Sequence, residues 1–117
     1  MKILVCGGRE FSDNEFVFKM LDPYKPVITQ LIEGGARGAD ALAATWAKTN
    51  KIDVRTFPAD WDKHGKRAGP LRNIQMLEEG KPDLVVAFPG GKGTTHMVNE
   101  ARKANVPVIV MFKSPLE

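Results

Sequence analysis

Leu84-Val-Val-Ala-Phe-Pro-Gly-Gly-Lys-Gly-Thr-Thr95 runs from an apolar stretch short enough to be a buried strand, through Pro89 and glycines at 90, 91 and 93, into a helix-like segment. Thr94 and Thr95 are placed to cap that helix. Glycine lets the backbone turn at positive φ and lets a ligand approach with no Cβ in the way. The free N–H groups and positive dipole end of the following helix favour an anion such as phosphate. Such a strand–glycine loop–helix unit is a candidate phosphate cradle, and repeated it builds a parallel sheet. A second such loop lies upstream at Gly34-Gly35-Ala36-Arg37-Gly38.

Working outward, apolar runs alternate with amphipathic segments. Strands are expected over residues 3–6, 27–32, 54–57, 83–88 and 107–112, the third more alternating and so suited to a sheet edge. Ser12 and Glu15 have the capping-box spacing ahead of Phe16, Val17, Met20 and Leu21, and Asp22-Pro23 is expected to stop that helix. Ala39, Leu42, Ala43, Trp46 and Ala47 recur at helical spacing from near Gly38. A polar stretch, residues 60–69, reads as irregular and is a candidate flap. Pro70 then suits a first helical position, with Leu71, Ile74 and Leu77 on one face to about residue 79. The last helix is expected over residues 94–105.

Near-continuous apolar strands alternating with helices predict an α/β fold, with a parallel sheet covered on both faces. The expected architecture is one Rossmann-like domain over residues 1–117, five strands in the order 3-2-1-4-5. That order brings the loops at residues 7–9, 34–38 and 89–93 to one carboxyl edge, where such sheets bind ligands. Gly7, Gly8 and Arg9 thereby join the candidate site.

The chain has 117 residues, 43% of them hydrophobic and 26% charged, and a formal charge of +3, the profile of a globular protein with a few anion-binding cations. One cysteine, Cys6, excludes an internal disulfide or cysteine cluster, and the two histidines, His64 and His96, are too isolated for a zinc site. No metal or cofactor is expected. The apolar start is too short for a signal peptide or membrane span, so a cytoplasmic protein with no membrane partner is expected. Neither glycine loop matches Walker A, because Gly93 stands where Ser or Thr is required, and Gly7-Gly8-Arg9-Glu10 is not a G-x-G-x-x-G fingerprint.

Four motifs in order, Glu33-Gly-Gly-Ala-Arg-Gly-Ala-Asp40, Pro58-Ala-Asp-Trp61, Gly65-Lys-Arg-Ala-Gly-Pro-Leu-Arg-Asn73 with Met76, and Pro89-Gly-Gly-Lys-Gly-Thr94, resemble the YspA-like, cpYpsA-related branch of the SLOG (SMF/DprA–LOG) superfamily. The resemblance spans residues 1–112. It implies a Rossmann-like domain that binds a nucleotide or nucleotide-derived ligand: a nucleoside phosphate, an ADP-ribose-like molecule or a nucleotide sugar. The residues it points to for holding that ligand are Gly34, Gly35, Arg37, Gly38, Asp40, Lys66, Arg72, Asn73, Pro89, Gly90, Gly91, Lys92, Gly93 and Thr94. Trp61 is a candidate plate for stacking on a base, and Arg9 a further cation. SLOG relatives commonly dimerise, which leaves a homodimer open.

Two other functions are weighed beside this sensor or binding role. LOG phosphoribohydrolases, which cleave the N-glycosidic bond of nucleoside monophosphates, carry P-G-G-x-G-T-x-x-E with an upstream arginine. Arg72 matches that arginine, but Met97 stands where the catalytic glutamate belongs, and a thioether is no base. Only Glu100 or His96, with Arg72, could then supply the chemistry. A DprA-like nucleic-acid partner is the third reading, motivated by the basic residues 63–67. The lack of a basic stripe or interleaved aromatics counts against it.

Overall fold

The computed structural model describes residues 1–112; residues 113–117 of the expected domain lie outside the described residues. Strands β1 (Lys2–Cys6), β2 (Gln30–Glu33), β3 (Asp53–Thr56), β4 (Leu84–Ala87) and β5 (Val108–Val110) alternate with helices α1 (Asn14–Leu21), α2 (Ala39–Thr49), α3 (Trp61–His64), α4 (Ala68–Gln75) and α5 (Lys92–Lys103). All pairings are parallel, in the order β3-β2-β1-β4-β5. This is the α/β architecture expected from the alternation.

Burial explains the order. The interior strand β4 is buried along its whole length, whereas β3 exposes most of its residues and takes an edge. Side chains alternate across β1, as the strand period of two requires. Ile3 and Val5 enter a core with α1 and α2, around Val17, Leu21 and Trp46. Leu4 and Cys6 enter a second core with α4 and α5, around Met76, Met97 and Ala101. Replacing a fully buried leucine such as Leu4 by alanine costs about 2–5 kcal/mol, so either face alone decides stability.

Several local details differ from the sequence expectation. Asp13, not Ser12, caps α1, accepting from the Phe16 N–H at 3.0 Å, so the capping pattern shifts by one residue. Asp22-Pro23 opens a 3₁₀ turn, Asp22–Tyr24, held by the Trp46 indole N–H donating to Asp22 at 2.8 Å. β2 begins three residues later than expected because Thr29 pairs with the chain start, its N–H donating to the Met1 carbonyl at 2.8 Å.

The largest difference is at residues 60–69. Asp60 accepts from the Lys63 N–H and starts α3; a 3₁₀ turn, Gly65–Arg67, leads straight into α4. The expected irregular flap is helical. Pro70 is the third residue of α4, not the first, tolerated because first-turn N–H groups have no intrahelical acceptor. Past Gln75 the helix continues as a π turn, Met76–Gly80.

Candidate functional site

The carboxyl ends of β1, β2 and β4 deliver three loops to one edge. The loops after β1 and β4 are joined by the Gly8 N–H donating to the Pro89 carbonyl at 2.8 Å, and the Gly8 carbonyl accepts from the Ala39 N–H at 3.1 Å. Close approach explains several glycines. A Cβ at Gly7 would lie 2.5 Å from that of Ala39, one at Gly38 would lie 2.2 Å from the Gly8 carbonyl oxygen, and one at Gly90 would lie 2.7 Å from the Gly8 nitrogen. These glycines knit loop to loop. At Gly91 and Gly93 an added Cβ would meet nothing within 4 Å, so the backbone there faces open space.

The loop after β4 enters α5 without a side-chain cap. Gly91 occupies the cap position, so Lys92 begins the helix two residues earlier than expected. Thr94 and Thr95 therefore do not cap it; the Thr95 hydroxyl donates back to the Gly91 carbonyl at 3.2 Å. The N–H groups of Lys92, Gly93 and Thr94 then have no intrahelical acceptor, at the positive end of a twelve-residue helix.

The loop after β2 is the opposite case. Asp40 Oδ2 accepts from the Gly34 and Ala36 N–H groups at 3.1 and 3.3 Å, and Glu33 Oε1 accepts from the Gly35 N–H at 2.7 Å. Three of its amides, those of Gly34, Gly35 and Ala36, are thus already held by the chain's own carboxylates. Gly35 and Gly38 turn at φ of 74° and 76°, which is why the loop needs glycine there.

Between these loops and α4 lies a cleft of about 500 Å³, within the range of small-molecule sites. The Arg9 guanidinium sits 4.9 Å above the Trp61 ring at its mouth, and Trp61 is 46% exposed. Arg72 reaches in from α4. Its Nε donates to Asn73 Oδ1 at 3.1 Å and its Nη1 to the Gly34 carbonyl at 2.5 Å. The other three of its five N–H donors have no partner among the described residues, and no carboxylate there comes within ion-pair distance.

Asn73 is 95% buried and links α4 to α5. Arg72 Nε can only donate and the Gly93 carbonyl only accept, so the Asn73 amide has one orientation, with Nδ2 donating to that carbonyl at 3.2 Å. Nδ2 also meets His96 Nδ1 at 3.1 Å, which leaves a neutral imidazole's proton on Nε2, 3.7 Å from Glu100 Oε1.

Burial sets the electrostatics. It pushes the Asp40 carboxyl up to about 6, with neighbouring Glu33 adding to it and the loop N–H groups opposing. It pulls the Arg72 guanidinium below its usual range, Arg9 pulling the same way and Asp40 opposing. Cys6, at the cleft floor, is pushed up to about 12 by burial, which disfavours the thiolate that a nucleophile needs.

Among the residues singled out in the sequence, the cleft gathers Gly7, Gly8 and Arg9 after β1, and Asp40 from the first turn of α2. From α3, the 3₁₀ turn after it and α4 come Trp61, Lys66, Arg72 and Asn73, and from the last loop and α5 come Gly91, Lys92, Gly93, Thr94 and His96. Gly34, Gly35, Arg37, Gly38, Pro89, Gly90 and Glu100 do not line it. Arg37 instead pairs with Glu10 in solvent. Met97 is fully buried in the core and turned away from the cleft.

Ala36, Gly69, Pro70 and Met76 also line the cleft, with Cys6. Ala36, Gly69 and Pro70 stand inside quoted motifs, and Met76, quoted with the third, lies one helical turn past Arg72. That spacing was the available signal.

The family model described as YspA, cpYpsA-related SLOG family matches residues 1–64. The gene 61 protein of Mycobacterium phage D29 is 40% identical over 127 aligned residues, covering 97% of this chain and 98% of that one. The chain belongs to the YspA, cpYpsA-related SLOG family.

Its fold matches DNA processing protein A (DprA) from Streptococcus pneumoniae with TM-score 0.80 at 19% identity, over 99% of this chain but 52% of that one, so it spans about half of DprA. TM1055 matches with TM-score 0.75 at 17% identity, over 92% of this chain and 71% of that one. The UDP-GlcNAc 2-epimerase from Neisseria meningitidis, solved bound to UDP-GlcNAc, matches with TM-score 0.54 at 18% identity, over 95% of this chain and 32% of that one. At these identities the likeness is one of fold. No helix among the described residues is long and apolar enough to cross a membrane.

Proposed function

We propose that the cleft binds a phosphorylated nucleoside-type small molecule, as a binding or sensing domain. One observation carries this: a half-buried guanidinium with no carboxylate partner among the described residues faces the same cleft as an uncapped helix N-terminus. A buried cation is costly without a counter-charge, and a phosphate supplies that charge in the geometry Arg prefers. The Lys92, Gly93 and Thr94 amides and the Lys92 ammonium take the remaining phosphate oxygens. Trp61 is the face on which a base stacks, with Arg9 above it. Asp40 keeps Oδ1 for a sugar hydroxyl, since Oδ2 is spent on the loop.

Thermal-shift measurement against nucleoside monophosphates and nucleotide sugars tests the reading, with stabilisation growing as RT ln(1 + [L]/Kd). Trp61 fluorescence gives a second readout, because Trp46 is fully buried and silent to ligand. Absence of a shift with every phosphorylated nucleoside sinks the proposal.

The Asn73–His96–Glu100 chain favours a second reading, N-glycosidic hydrolysis of a nucleoside phosphate. It orients an imidazole at the cleft wall, as a general acid or base requires, although Met97 leaves the family's glutamate position in the core. Release of free base from a nucleoside monophosphate, lost in His96→Ala, would establish it; a nucleotide left intact by the parent protein rules it out.

A further inference from the structure

Residues 60–67, α3 and the 3₁₀ turn after it, bring Trp61 and Lys66 to the cleft, and all eight are exposed. Their hydrogen bonds are local: Asp60 accepts from the Lys63 and His64 N–H groups, and the Gly65 carbonyl accepts from the Ala68 N–H. Among the described residues no ion pair joins the segment to the rest of the fold. Gly65 turns it at φ of 56°, with open space where a Cβ would stand. A segment that buries no side chain opens at little cost. What ties it down is Trp61. The ring edge rests on Gly69, where an added Cβ would come within 3.3 Å, and the Arg9 guanidinium lies over the ring at 4.9 Å.

Arg9 is the joint between this segment and the cationic end of the cleft. Neither Arg9 nor Arg72 has a carboxylate partner among the described residues, and the two are close enough that Arg9 helps pull the Arg72 guanidinium below its usual range. An anion placed between them relieves both. A guanidinium stacked over an aromatic ring uses its face and keeps the N–H donors of its plane for an oxyanion, so Arg9 can hold ring and anion at once. A lysine ammonium has no such division of face and edge.

We infer that Arg9 is a positioning residue that latches residues 60–67 as a lid: an anion held between Arg9 and Arg72 fixes the Arg9 guanidinium, which holds Trp61 and, through it, the segment across the cleft. This rests on the nucleotide reading of the cleft and adds that occupancy closes it. Two glycines of the third motif then have separate parts. Gly65 is the joint on which the lid turns, and Gly69 leaves room for the ring that fastens it.

Limited trypsin digestion tests this, because Lys63, Lys66 and Arg67 are exposed cleavage sites within the lid. Where opening is fast relative to cleavage, the rate at these bonds follows the open population. The probe is whichever of AMP, GMP, CMP and UMP binds tightest in titration calorimetry. At saturation it slows cleavage after Lys63, Lys66 and Arg67 by about tenfold in the parent protein. In Arg9→Ala, saturated again at a higher nucleotide concentration, cleavage stays within about twofold of the nucleotide-free rate. Arg9→Lys, which keeps the charge without the planar fork, loses the protection too, whereas Trp61→Phe, which keeps a ring for Arg9, retains it. Should Arg9→Ala bind too weakly to saturate, Arg9→Lys decides. Equal cleavage of the parent with and without nucleotide overturns the inference, as does protection that survives in either Arg9 variant at saturation. If none of the four nucleotides binds in calorimetry, the nucleotide reading falls and this inference with it.

Discussion

The loops after β2 and after β4 are made of the same residue types, adjacent glycines with one cation, yet they dispose of their backbone N–H groups in opposite ways. After β2 the chain brings its own anions: Glu33 and Asp40 accept from Gly34, Gly35 and Ala36, and the loop is complete without a ligand. After β4 it brings none, and the amides of Lys92, Gly93 and Thr94 open onto the cleft. A glycine-rich turn therefore leaves its N–H groups open to an outside anion only where nothing in the chain already occupies them. The first loop is a brace and, on the reading proposed above, the second a receptor, the two coupled through Arg72, which donates to the Gly34 carbonyl while facing the cleft.

Four measurements break or sharpen this contrast. The largest effect is expected at Arg72, because it serves both loops. Arg72→Ala lowers affinity for the best-binding nucleoside monophosphate by about 100-fold, near 3 kcal/mol, in titration calorimetry. A loss under threefold removes Arg72 from the site.

Asp40 tests the brace. Its folded pKa, about 6, lies above the ordinary 3.8, so between those values the folded chain holds the proton more tightly than the unfolded one. Its contribution to stability is fully present below about pH 4 and is lost as pH rises through about 6. Asp40→Asn keeps an acceptor for the two amides and removes the ionisation. At pH 7.5 it should be more stable than the parent by on the order of 2 kcal/mol, with a flatter stability profile from pH 4 to 6 in urea unfolding. A parent profile that shows no such slope contradicts the burial of this carboxylate.

Gly93 tests the receptor. Because a Cβ there meets nothing, Gly93→Ala gains helix propensity and stabilises the fold by roughly 0.5–1 kcal/mol, while its methyl group projects into the anion position and costs about tenfold in affinity. If both properties improve together, the backbone at Gly93 is not the ligand contact. The smallest effect is at Arg37, exposed and paired only with Glu10: Arg37→Ala should change monophosphate affinity by less than about twofold. A large loss in the same calorimetric assay would restore the loop after β2 as a phosphate cradle.

Much of the fold was legible because it rests on periodicity. The apolar runs of β1, β2 and β4 and the helical spacing from Ala39 to Ala47 are local patterns, and parallel strands with helical crossovers leave few arrangements. Boundaries shifted where a local signal had a competitor: Asp13 outbid Ser12 for the α1 cap, and Asp60 started a helix in a stretch whose polar composition suggested a flap. The candidate site was legible as motifs, and most of those residues do converge on one cleft.

What the sequence alone determined was the family, the sheet and the edge at which the motifs meet, since all of these follow from residue order and spacing. Only the tertiary structure decided which glycine loop is free. Whether an N–H group is satisfied depends on where a carboxylate several residues away comes to rest, as with Asp40 beneath Gly34 and Ala36. It also decided that Met97 belongs to the core while Asn73, His96 and Arg72 share a wall of the cleft, because α4 and α5 are neighbours only through packing.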